Sequence, residues 1–274
     1  DRILSVADGI MVARGDLGIE VPLERLALEQ KRLVTHANAA NRVVIVATQM
    51  LLSMITSPRP TRAEATDVAN AVLDGADAVM LSEESAVGHY PVEAVNWLDR
   101  ICRTTEAAAA RGELTIRVPP SRDRAQERSV ADAAVDLAAS MRAGAIVTPT
   151  HSGRTARLVA SRRPSTPVVA LSSQRSTRRQ LSLTWGVEAR RTPEHLTLLD
   201  LRAYAQRTLR GRPQIHPGVP VVLTAGYPIE GRPTNLVTVL RWGEAPPPPE
   251  GRGERARAGP GSAPPPKGAG RDRR

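Results

Sequence analysis

The sequence predicts an α/β protein built on parallel sheet, and three observations predict it. Short apolar runs begin at Gly9, Val43 and Asp77, so the interval is 34 residues both times. A pattern of helical spacing fills each gap, Leu23 to Ala40 and then Thr61 to Leu73. The first and third runs also open alike, Ala7-Asp8-Gly9-Ile10-Met11-Val12 beside Ala76-Asp77-Ala78-Val79-Met80-Leu81. Repeated strand–helix units of this length indicate parallel strands joined by crossover helices. A full (β/α)8 TIM barrel takes roughly 250 residues. Residues 1–110 hold three such units, so they read as a partial barrel with about five units missing. The chain opens on Asp1 already inside a βα pattern, which reads as part of something longer.

The first unit carries the stretch around which the rest is organised, Gly9 to Gly18. Ile10 to Ala13 run apolar without a break and stop at Arg14-Gly15-Asp16. An unbroken apolar run is the mark of a strand covered on both faces. The polar cluster then falls at the strand's carboxyl end, where barrels and open α/β sheets keep their chemistry. Gly15 lets a ligand approach the backbone closely, and Asp16 is a hard oxygen ligand for a divalent cation. N–H groups at the start of the next helix can receive a carboxylate or phosphate. An ordinary polar turn fits the same residues. A cell-adhesion reading of Arg14-Gly15-Asp16 does not fit behind a buried strand.

The second strand ends at Ala47-Thr48-Gln49-Met50, so Thr48 projects onto the same rim as Asp16. Pro58 and Pro60 close the following loop, Thr61-Arg62-Ala63-Glu64 is a capping box, and Gly75 is placed to end the helix. The third strand finishes at Ser82-Glu83-Glu84-Ser85, again polar. Tyr90 to Val95 opens a helix running to about Ala110. Residues 111–128, polar and Pro-containing, read as a linker.

A second α/β domain is predicted over 129–242. Ser129 to Met141 is amphipathic, and Ala145-Ile146-Val147 is a strand. Thr150-His151-Ser152-Gly153-Arg154-Thr155 then opens a helix, and hydroxyls, a glycine and an arginine at such a turn suit a phosphate. Ser and Thr also cap helices that bind nothing. Further strands are expected at Pro167 to Leu171, Gly186 to Ala189, Val219 to Leu223 and Leu236 to Leu240. Helices are expected at Thr177 to Leu183 and Glu194 to Leu209. Ala225 to Pro233 is Gly/Pro-rich and reads as a ligand loop or a hairpin. From Gly243 to Arg274 almost nothing apolar remains, so a disordered Pro/Gly/Arg-rich tail is expected.

Charge divides the chain unevenly. Residues 1–100 carry nine Lys/Arg against fourteen Asp/Glu, whereas residues 101–242 carry twenty-two against ten. A basic second half points to anionic partners, phosphorylated metabolites before nucleic acid. Three Trp, three Tyr and no Phe leave few platforms for stacking bases. No run is long enough to span a bilayer. One cysteine, Cys102, excludes an internal disulfide and fits the reducing cytoplasm.

These residues closely resemble the pyruvate kinase family. The matching stretches are Asp8 to Gly18, Ala47 to Met50, Pro58 to Glu64, Asp67 to Asp77 and Tyr90 to Val95. Ser152 to Ala156, Trp185 to Val187, Thr224 to Gly226 and Thr234-Asn235 match the family's C-terminal domain. The resemblance implies that the partial barrel is the family's last three units. It implies phosphoryl transfer from phosphoenolpyruvate to ADP, giving pyruvate and ATP. Asp16 would be one of two carboxylates holding Mg2+ or Mn2+. The N–H groups of Gly15 and Asp16 would receive the substrate carboxylate, and Thr48 would hydrogen-bond it. Thr150, His151, Ser152, Gly153, Arg154 and Thr155 would hold a sugar-phosphate or nucleotide effector, with help from Tyr227 to Pro233. A homotetramer is implied for the full-length family, while composition and run length predict a cytoplasmic chain with no nucleic-acid or membrane partner.

The resemblance places the family's catalytic lysine, its other metal-binding glutamate, the phosphate-reading arginine, the K+ site and a lid domain upstream of Asp1. Lys31 and Lys267 are not positioned to replace that lysine. The expectation is therefore an inactive chain when alone, the alternative being a non-catalytic regulatory protein that binds sugar phosphates. Ser82-Glu83-Glu84-Ser85 departs from the family's Ser-Gly-Glu-Thr. His151 stands where some members carry lysine, a weaker phosphate partner at neutral pH.

Overall fold

The apolar runs become strands where the spacing predicts them. The computed structural model describes residues 1–120, 125–194, 197–226 and 234–243. A short helix, α1 (Arg2–Val6), leads into β1 (Gly9–Ala13), α2 (Arg14–Glu20) and α3 (Leu26–Ala39). Then follow β2 (Val43–Ala47), α4 (Arg62–Asp74), β3 (Ala78–Met80), α5 (Glu83–Ala86) and α6 (Pro91–Ala110). The three strands form one parallel sheet in the order β1-β2-β3, with Ala13 beside Ala47 and Ala47 beside Met80. Their carboxyl ends therefore share an edge.

The sheet is held by what the helices bury against it. Val34 and Ala37 of α3 and Val68 and Ala71 of α4 are fully buried with Val12, Val44 and Val46. Each such valine contributes roughly 1.5–3 kcal/mol by leaving water. The start of α4 is the predicted capping box: Thr61 Oγ1 accepts from Glu64 N–H at 3.2 Å, and Glu64 Oε2 accepts from Thr61 N–H at 2.8 Å. Gly75 ends the helix at φ +95°. A Cβ there would lie 2.7 Å from Arg117 O, so no other residue fits without movement.

The second sheet is built from α7 (Gln126–Ser140), β4 (Ala145–Pro149), α8 (Arg154–Ala160), β5 (Val168–Ser172), α9 (Arg175–Leu181), β6 (Val187–Arg191), α10 (Leu198–Leu209), β7 (Pro220–Ala225) and β8 (Leu236–Arg241). Strand order is β6-β5-β4-β7-β8, parallel except for β8, which runs against β7. Both faces are covered, as the unbroken apolar strands require. Ile146 and Val222 pack with Ala131, Ala134, Leu158 and Val159 from α7 and α8. Val147, Val169 and Leu223 face the other way, onto Leu201, Ala205 and Leu209 of α10.

Several boundaries differ from the sequence reading, each for a local reason. α7 begins at Gln126, inside the stretch read as linker. β3 begins one residue after Asp77, whose backbone N–H donates to Val44 O and whose carboxylate accepts the Val44 N–H, each at 2.9 Å. α10 begins after Thr197, not at Glu194: a second capping box, Thr197 with Asp200, sets its start. Helices α1, α2 and α5 are too short to show a period in sequence. The loop over 227–233, most of the tail over 244–274 and part of the linker, 121–124, lie outside the described residues.

Asp77 also ties the two sheets together. The side chain of Arg163 is only 6% exposed; it donates to Gly75 O and, at 3.2 Å, to Asp77 Oδ1. Its guanidinium lies 4.9 Å from the centre of the Trp185 ring. Trp185 in turn donates its backbone N–H to Asp77 Oδ1 at 3.2 Å and its indole N–H to Glu106 at 2.7 Å. Burial pushes the Asp77 carboxyl up, against the opposing pull of Arg163 and of the Val44 and Trp185 N–H groups.

Candidate active-site rim and effector loop

The carboxyl edge of the first sheet gathers the residues singled out in the sequence. α2 starts immediately after β1, so the first N–H groups of that helix point off the sheet edge without intrahelical acceptors. The Gly15 N–H donates to Thr48 Oγ1 at 2.8 Å, which joins the ends of β1 and β2 directly. Asp16 follows in the first turn and is exposed; Thr48 is half-buried. A Cβ added at Gly15 would meet Thr48 Oγ1 at 3.6 Å, an ordinary contact. The fold itself therefore does not demand glycine at this position.

Thr48 and Gln49 adopt left-handed backbone, φ 69° and 55°. For a β-branched residue this is unusual, and it costs roughly 1–2 kcal/mol per residue. Arg14 holds the turn in place. Nearly buried, it donates through Nη2 to Thr48 O at 2.8 Å and Gln49 O at 3.1 Å, and through Nε to Thr48 O at 3.2 Å. It also pairs with Asp67 of α4. Two strained residues fastened by one buried arginine are what a preorganised site requires. Gln49 is exposed and its side chain is not needed for these bonds, so Gln49→Gly is expected to raise stability by about 0.5–1 kcal/mol. A melting temperature equal to or below the wild type's would show that the turn is not strained.

The third strand's polar end behaves differently from the other two. Glu84, 1% exposed, accepts from Leu51 N–H at 3.0 Å and Ser82 N–H at 2.8 Å. Its carboxylate braces the loop after β2 and does not face the rim. Among the described residues there is no group of three or more His, Cys, Asp or Glu side chains able to hold a metal ion. Asp16 alone fits a cation of the Mg2+ kind, which commonly takes one or two carboxylates and completes its shell with substrate oxygens and water.

In the second sheet, the predicted effector loop joins β4 to α8. Gly153, at φ +80°, is the residue before the helix, and its N–H donates to Thr150 Oγ1 at 3.0 Å. His151, Ser152 and Arg154 are exposed. Thr155 points inward: its hydroxyl shares a hydrogen bond of 2.6 Å with Thr234. Thr177 of α9 holds the loop by donating to His151 O at 2.7 Å. Of the six residues, three thus present side chains to solvent. Nothing in the sequence marks Arg163, and Arg14 stands there only as part of the polar cluster after β1, because a buried arginine looks in sequence like any surface one.

A parallel sheet with a polar carboxyl edge, coupled to a second, mixed sheet with a hydroxyl-rich βα turn, defines a two-sheet protein of the α/β class. The chain belongs to the pyruvate kinase family: the model of the pyruvate kinase barrel domain matches residues 1–95 and that of its alpha/beta domain matches residues 128–240. It is 42% identical over 240 residues to a pyruvate kinase of Sporosarcina psychrophila, covering 87% of this chain and 41% of the relative. A pyruvate kinase of Dictyostelium discoideum is 43% identical over 257 residues, covering 89% and 50%. The crystal structure of a pyruvate kinase from Cryptosporidium parvum superposes with a TM-score of 0.78 at 37% identity, covering 87% of this chain and 48% of that one. The chain spans about half or less of the length of the relatives it matches. No helix among the described residues is long and apolar enough to cross a membrane.

Proposed function

We propose that the carboxyl rim of the first sheet is part of a pyruvate kinase centre, which moves a phosphoryl group from phosphoenolpyruvate to ADP. The ester P–O bond breaks, a P–O bond to the terminal phosphate of ADP forms, and the released enolate takes a proton to become pyruvate. A bound Mg2+ or Mn2+ would neutralise charge on the substrate and the moving phosphoryl group. Asp16 would supply one ligand to that ion. The Gly15 and Asp16 N–H groups would receive the substrate carboxylate, taking over the bond that Gly15 now makes to Thr48, whose hydroxyl would turn to donate to the same carboxylate. The observation that carries this reading is the 2.8 Å hydrogen bond from Gly15 N–H to Thr48 Oγ1. It brings a glycine amide, a hydroxyl and the neighbouring carboxylate to one edge.

We also propose that this chain alone turns over only at background rate, since no lysine stands at the rim among the described residues. Lys31 is paired with Asp74 on the helix side of the sheet, and the sole other lysine in the sequence is Lys267. A K+ ion, a homotetramer and a cytoplasmic setting are part of the proposal, as is a phosphate-bearing effector at Thr150 to Thr155. So is the division into a barrel part (1–110), a linker (111–128), an effector domain (129–242) and a tail (243–274).

Calorimetric titration of the chain with phosphoenolpyruvate, with and without Mg2+, tests the rim. Binding should need the metal and weaken about tenfold or more in Asp16→Asn, a loss of ~1.4 kcal/mol. Gly15→Ala should weaken binding too while melting no lower than wild type, since alanine favours the helix. Binding untouched by Asp16→Asn would end the assignment. Turnover well above background in a coupled assay would overturn the inactivity.

A further inference from the structure

A narrow crevice, open to solvent, lies where the two sheets meet. Asn38, Asn41 and Arg42, around the end of α3 and the start of β2, form one wall, and Arg157, Ser161 and Arg163 from α8 and the turn after it form the other. Arg163 is spoken for by Asp77 and Gly75. Arg42 and Arg157 are different. Arg42 donates only through Nε, to Leu4 O at 3.1 Å, and Arg157 only through Nη2, to Ser152 O at 3.2 Å. A guanidinium carries five N–H donors in a fork, so most of theirs have no protein acceptor among the described residues. Neither forms an ion pair there.

The two also repel one another. Arg157 is held below the usual arginine range first by burial and then by the charge of Arg42, with Arg154 adding to the effect and exposed Asp8 opposing it. Both side chains are half-buried, so water only partly screens their like charges. A tetrahedral dianion between the two forks would satisfy the unused donors and replace repulsion with attraction, in the geometry that arginine gives phosphate. Asn38 and Asn41 line the same opening without charge; the Asp77 carboxylate lines it too, its charge met by Arg163.

We propose that this crevice is a binding site for a small phosphate-bearing anion, held by Arg42 from the first sheet and Arg157 from the second. Its ligand would bridge the sheets, and through the Arg157 bond to Ser152 O it would bear on the loop over 150–155. The proposal does not rest on the phosphoryl-transfer reading, which concerns the opposite, carboxyl end of β2.

Thermal melting of the whole chain in inorganic phosphate, against chloride at matched ionic strength, tests it. At phosphate ten times its Kd the melting temperature should rise by about 3–6 °C. Arg42→Gln and Arg157→Gln should each remove most of that rise, and Arg103→Gln, at an exposed arginine away from the crevice, should keep it. Glycerol 3-phosphate alongside inorganic phosphate distinguishes a phosphorylated metabolite from the free ion: tighter binding of the ester supports the former. No rise in wild type, or an equal rise in both arginine variants, overturns the site. If a variant loses its cooperative transition, protection of Arg42 and Arg157 from phenylglyoxal in wild type decides. Phosphate should slow phenylglyoxal modification of Arg42 and Arg157 and leave exposed Arg103 unaffected; equal rates with and without phosphate overturn the proposal.

Discussion

Replacing Arg163 with alanine is expected to cost the folded chain roughly 3–5 kcal/mol, the range for removing one partner of a buried ion pair. The side chains of Arg163 and Asp77 are 6% and 10% exposed, so the aspartate left behind cannot recover its hydration. Gly75 O would lose a donor and the Trp185 ring its stacked cation in the same step. The pH dependence follows from the direction of the Asp77 shift. Its carboxyl already titrates above the ordinary range because of burial, and without Arg163 it should be pushed further up. A raised folded-state pKa favours the folded chain below the unfolded value and loses that advantage as pH climbs through the folded one. The deficit of Arg163→Ala relative to wild type should therefore shrink from pH 7 toward pH 4. Urea unfolding of both proteins across that window is the measurement. In a double-mutant cycle, Asp77→Asn with Arg163→Met should cost clearly less than the sum of the single changes. Additive losses, or a deficit that grows on acidification, would mean that the pair does not join the sheets.

The joint between the sheets was illegible in the sequence, and the reason is physical. The strands and their order of appearance follow from apolar runs of fixed spacing. Thr61, Glu64 and Gly75 are legible because capping is local chemistry written within a few residues. Asp77 and Arg163 lie 86 residues apart, and nothing local marks either as buried. Thirty-six of the 38 basic residues are arginines, so a handful with structural work are hidden among many that meet only solvent. The rim shows the same split. Gly15, Asp16 and Thr48 stand out because polar residues interrupt apolar strands. The left-handed turn at Thr48 and Gln49 does not, since neither residue type favours it. Glu84 looked like a third rim group by its place after β3, and only the Leu51 N–H behind it shows why it turns inward.

That hidden turn gives the second large effect. Arg14→Ala should destabilise the chain by roughly 2–4 kcal/mol and loosen the loop from Thr48 to Leu51 before the rest of the sheet. The wild-type guanidinium supplies hydrogen bonds to two carbonyls whose residues occupy costly backbone, and its contact with Asp67 anchors that loop to α4. Water can solvate Asp67, which is 35% exposed, but it cannot hold Thr48 and Gln49 at positive φ. With the clamp gone, both residues should relax toward ordinary backbone and carry the Thr48 hydroxyl away from Gly15. Arg14→Lys should rescue little, because one ammonium cannot span acceptors that the fork reaches together. Hydrogen exchange reports the local part: the amide of Gly15, donated to Thr48 Oγ1 in wild type, should lose protection in both variants while β2 keeps its own. If Gly15 exchanges at the wild-type rate and stability falls by less than about 0.5 kcal/mol, the strained turn stands without Arg14. The rim's preorganisation would then need another source.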